Sequence, residues 1–138
     1  MNKQQHRHSS LADIGFKKFA PAIAFFIVVF VLVTLPGDSL PSTHEWMEIS
    51  FLDKWVHAFM FGLLTFLFLL PVGESTLFKQ QKRHYFIRIS IALCIWGITT
   101  EFIQKFYIPT RDFDLIDWAA DSVGILAAYI YCRKFHLR

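Results

Sequence analysis

Residues 19–35, FAPAIAFFIVVFVLVTL, contain no charged side chain. As a helix this stretch measures about 25 Å, close to the thickness of a bilayer's hydrocarbon core. Three further apolar runs follow. Residues 55–72 have His57 near their start, residues 85–108 hold an uncharged centre between Arg88 and Glu101, and residues 115–132 carry Asp117 and Asp121 in their first two turns. The last two need a bundle around them, because a charge at mid-depth costs about 3 kcal/mol on insertion scales. The expected fold is all-α: a four-span transmembrane helical bundle forming one domain over residues 1–138.

Composition agrees with that reading. The chain of 138 residues is 54% hydrophobic, and only 18% of it is charged, against about a quarter in soluble domains. A soluble domain this small could not hide so much apolar surface. The basic residues lie scattered near the ends of the apolar runs, so a nucleic-acid partner is not expected. Cys94 and Cys132 fall inside apolar runs and read as small buried hydrophobes. The first run is long for a signal-peptide core and has no small-x-small cleavage site after it, so it reads as a retained span.

Lysine and arginine set the expected orientation. Lys3, Arg7, Lys17 and Lys18 precede the first run. Lys79, Lys82, Arg83 and Arg88 lie between the second and third, and Arg133, Lys134 and Arg138 close the chain. The other two connections hold only Lys54, Lys105 and Arg111. The positive-inside rule then puts both termini in the cytoplasm. In the first outer connection Ser42 is followed three residues later by Glu45, a capping-box pattern that suggests a short interfacial helix.

With that topology three segments deliver polar residues to one side. Asp53, Lys54 and His57 open the second span. Glu101, Gln104 and Lys105 end the third. Arg111, Asp112, Asp114, Asp117 and Asp121 cover the last turn and the top of the fourth. Asp53 and His57, four apart, share a helix face; Asp114, Asp117 and Asp121 form one stripe. Intramembrane charges face protein or water rather than lipid, so these groups should meet in an outward-facing polar cavity. Gly124, below Asp121, would let a neighbouring helix approach closely.

The stretches DKWVHAFMFGLL and TEFIQKFYIPTRDFDLIDWAADSVGILAAY resemble the VanZ-like family of small bacterial membrane proteins. The resemblance covers the second to fourth spans and rests on Asp53, Lys54, His57, Glu101, Gln104, Pro109, Arg111, Asp117, Asp121 and Gly124. It departs at Asp121, where the family most often has Asn. It implies a bacterial cytoplasmic-membrane location and a cell-envelope role linked to resistance to glycopeptide antibiotics of the teicoplanin type.

Several chemistries fit these residues. His57, Glu101 and Asp117 are candidate acid–base groups, and Asp53, Lys54, Gln104, Arg111 and Asp121 are candidate ligand-binding groups. Arg111 and Lys54 suit a phosphate or carboxylate. The excess of acceptors favours a hydroxyl- or amine-bearing headgroup, and hence a glycan- or peptide-linked envelope lipid. The acidic set would also suit a divalent cation, yet there is no local metal spacing such as HExxH, so no metal ligand and no cofactor are assigned. Two alternatives stand beside lipid binding: a charge cluster that only staples the helices, and a small ion or solute carrier.

Overall fold

The computed structural model describes residues 14–35, 52–108 and 112–137. A single 3-10 turn, Phe16–Phe19, leads into α1, Ala20–Thr34; α2 is Leu52–Gly73, α3 is Lys79–Tyr107 and α4 is Leu115–His136. Four helices, the first counted from Phe16, are long and apolar enough to cross a membrane. The chain is a multi-pass membrane protein. Its helices are antiparallel in sequence order: the start of α4 and the end of α3 meet the start of α2, and the end of α1 lies against the same end of α3.

Local chemistry sets the helix ends. Pro21 occupies the first turn of α1, where a missing N–H costs little. Leu35 is extended (ψ 135), as the residue before Pro36 should be. The last turn of α2 is closed by Lys82, whose Nζ donates to Gly73 O at 2.7 Å. Gln81 Oε1 accepts from Phe78 N–H at 3.1 Å and caps the start of α3. Asp114 caps α4 by accepting from Ile116 N–H at 2.8 Å, while Arg133, Lys134 and His136 complement the dipole at its far end.

The expected spans coincide with these helices except at three ends. α3 begins at Lys79 rather than at residue 85, α2 begins at Leu52, and α4 continues to His136. With 29 residues, α3 is about 44 Å long, against a bilayer hydrocarbon core of about 30 Å. The interfacial helix expected around Ser42 and Glu45 falls outside the described residues, as do Pro109, Thr110 and Arg111.

The helix α2 is the central one: half of its apolar window is buried, against 17% for the first span. Its closest packing is with α4. Lipid tails are as apolar as leucine, so close backbone approach and buried polar contacts, rather than hydrophobicity, hold such helices together. The crossing of α2 and α4 shows this. A Cβ placed on Gly124 would come within 2.0 Å of Ala58 O, and one on Gly62 within 3.2 Å of Gly124 O. The expectation that Gly124 permits close approach is therefore met. Phe61, Leu64, Leu93 and Ile125 fill the middle of the bundle, and Leu69, Val72, Phe86 and Cys132 fill the end away from Lys54. α1 packs more lightly, with Phe26 and Phe30 against Trp96 at ring-centroid distances of 5.0 and 6.1 Å.

Candidate functional site

The crossing at Gly124 brings the starts of α2 and α4 and the end of α3 together in two polar layers. The layer nearer the helix ends is built on Lys54. Its Nζ lies 2.7 Å from Asp114 Oδ2, 2.5 Å from Asp117 Oδ1 and 3.8 Å from Asp53 Oδ2. Asp114 also donates its backbone N–H to Glu101 Oε2 at 3.0 Å. One residue thus joins all three helices: Asp114 caps α4, pairs with α2 and bonds to α3. The hydrogen bond from Lys54 holds the Asp114 carboxyl below its ordinary value of 3.8.

The second layer is deeper. Asp121 lies four residues beyond Asp117, about 6 Å further along α4. His57 Nδ1 stands 3.0 Å from Asp121 Oδ1, a hydrogen bond whose donor is set by the ring's protonation. Its other nitrogen, Nε2, faces Asp117 Oδ2 at 3.9 Å. The relative exposure of His57 is 3%, and of Glu101 and Asp121 it is 0%. Asp121 fits beside α3 because Gly97 has no side chain; a Cβ there would come within 3.1 Å of Asp121 Oδ2. Among the described residues, Glu101 Oε1 and Asp121 Oδ2 are buried with no hydrogen-bond partner. Buried polar atoms are nearly always satisfied, so two orphaned carboxylate oxygens in one small group are unusual.

Of the expected site residues, Asp53, Lys54, His57, Glu101, Asp117 and Asp121 come together; Arg111 lies outside the described residues. Gln104 turns instead to α1, where its Nε2 donates to Val33 O at 3.1 Å. Lys54 is not free to grip an anion, because two aspartates hold it. The inner side chains His57, Glu101 and Asp121 are buried. Asp53 remains at the rim with 63% of its side chain exposed. Asp114, not among the expected site residues, is the one that joins all three helices. Its signal was an Asp directly before an apolar helical run, the mark of an N-cap.

A shallow apolar groove of about 230 Å³ runs between α3 and α4 next to this site. Cys94 and Ser122 lie at one end, Tyr129 at the other, and Ile91 and Leu126 between. Trp118 Nε1 donates to Cys94 O at 3.1 Å, and Ser122 Oγ donates to Trp118 O at 2.9 Å. No protein-family model, curated protein or solved structure matches the chain.

Proposed function

We propose that this chain is a bacterial cytoplasmic-membrane protein that binds, at the Lys54 end of α2, α3 and α4, the headgroup of a glycan- or peptide-linked envelope lipid. The observation that carries this reading is the pair of orphaned oxygens, Glu101 Oε1 and Asp121 Oδ2. A ligand bringing donors or a cation would supply their missing partners, and removing such groups from water uncompensated is costly. The groove along Ile91 and Leu126 offers an acyl chain a path into the membrane beside the headgroup site. His57, Glu101 and Asp117 stand where they could move a proton on a bound headgroup, although binding is the part of the reading that the geometry supports best.

The resemblance to the VanZ-like family adds a cell-wall context, in which loss of the site would change susceptibility to teicoplanin-type antibiotics. The lysine and arginine distribution supports an orientation with this end outside the cell. An impermeant thiol reagent applied to intact cells should label a Thr43→Cys variant and not a Lys79→Cys variant; the reverse pattern would turn the site to the cytoplasm.

A specific observation favours stapling for the upper layer. Lys54 is held by Asp114 and Asp117, and Asp114 by Glu101, so these contacts join the helices whether or not a ligand binds. The lower layer is where binding and stapling part. Native mass spectrometry of protein extracted gently from its membrane should show wild type carrying a glycan- or peptide-bearing lipid. Glu101→Gln and Asp121→Asn should accumulate normally and carry at least about tenfold less, the effect of losing a charged hydrogen bond. Equal lipid in wild type and variants would sink the lipid reading.

A further inference from the structure

The inner group has a composition that a lipid headgroup alone does not explain. One ligand atom from each of His57, Glu101 and Asp121 lies within 4.8 Å of the other two, and all three residues are buried. A second set, Asp53, His57 and Asp117, meets the same distance and shares His57, leading from the exposed rim to the buried group. Lys54 already sits on Asp117 in the outer set, which leaves the inner set with the stronger need for positive charge. Two carboxylates with orphaned oxygens and one neutral imidazole balance the charge of a dication. Three protein ligands also leave one coordination position free.

We infer that His57, Glu101 and Asp121 form a divalent-cation site, suited to a first-row metal of the zinc or manganese type. The imidazole argues against magnesium and calcium, which favour oxygen-only shells. The absence of a thiolate argues against copper(I). The ligands come from α2, α3 and α4, one each, which is why no local spacing announces them in the sequence. Gly97, on the same helix as Glu101, has no Cβ to crowd Asp121 Oδ2. The inference rests on the reading of the inner group as a binding site. It adds that the first occupant is an ion whose open position faces the headgroup.

The test uses the full chain, purified in mild detergent without a histidine tag. After incubation with Zn²⁺ or Mn²⁺ and dialysis into metal-free buffer, elemental analysis should find about one equivalent of metal. Asp121→Asn and Glu101→Gln keep side-chain size, and circular dichroism checks that they remain helical. They should bind at least about tenfold more weakly. His136→Ala and Cys132→Ala remove other potential metal ligands and should bind as wild type does. Melting temperature should rise with added metal in wild type and not in Asp121→Asn. Wild type retaining no metal, or Asp121→Asn and Glu101→Gln retaining as much as wild type, would overturn the site. Metal without co-purified lipid would support the cation and count against the lipid reading. Lipid without metal would do the opposite.

Discussion

At the scale of single residues, Asp114 joins the Lys54 end together. Its carboxyl caps α4 and takes the Lys54 hydrogen bond that lowers its pKa, while its N–H is held by Glu101. A lowered pKa gives stability that is fully present above the ordinary value of 3.8 and is lost as the pH falls through the lowered value. Wild type should therefore melt above Asp114→Asn by a constant margin from neutral pH down to about 5, and the margin should narrow below about pH 4. A margin that does not change with acid would mean that Asp114 acts as a cap and no more. The sequence exposed most of this site, because Lys54, His57, Asp117 and Asp121 are charged or polar side chains at helical spacing inside apolar runs. It did not expose who pairs with whom. Lys54 read as a free cation because its partners lie about sixty residues away, and nothing local in the sequence marks Gly97 as the space beside Asp121.

At the scale of elements, the α2–α4 crossing decides whether the site exists, since it carries His57 and Asp121 to within 3.0 Å of each other. Backbone atoms of Ala58 leave no room for a Cβ on Gly124, whereas Gly62 meets Gly124 O at a merely tight 3.2 Å. Gly124→Ala should destabilise the bundle by about 2 kcal/mol or more, the scale of overpacking a close contact. Gly62→Ala should cost less, and Gly15→Ala, with open space around it, nothing measurable by this mechanism. Unfolding of the purified variants in increasing denaturing detergent reads this order directly. The centres of the helices were legible from hydropathy, but the start of α3 was not. Residues Lys79–His84 are polar and continue the helix past the point where the apolar signal stops.

At the scale of the whole molecule, the buried carboxylates and histidine of the described residues gather at one end, while the interior of the opposite end is packed with Leu69, Val72, Phe86 and Cys132. A bundle that needed charges only to fix its register would pair them. Here each carboxylate of the upper layer has the Lys54 ammonium within 3.8 Å, whereas Glu101 Oε1 and Asp121 Oδ2 of the lower layer have no hydrogen-bond partner among the described residues. Under the proposed binding function, the lower layer keeps these carboxylates for a ligand at the expense of stability. The melting temperatures of Lys54→Met and Glu101→Gln, measured in detergent with a metal chelator present, test it most directly. Gln at residue 101 can still accept the Asp114 N–H while removing an uncompensated charge. Met at residue 54 leaves Asp114 and Asp117 without their cation. Lys54→Met should lose about 2 kcal/mol or more, between the exposed and buried ranges for ion pairs, while Glu101→Gln should melt at or above wild type. A Glu101→Gln variant that melted as far below wild type as Lys54→Met would show both layers to be staple, and would contradict the claim.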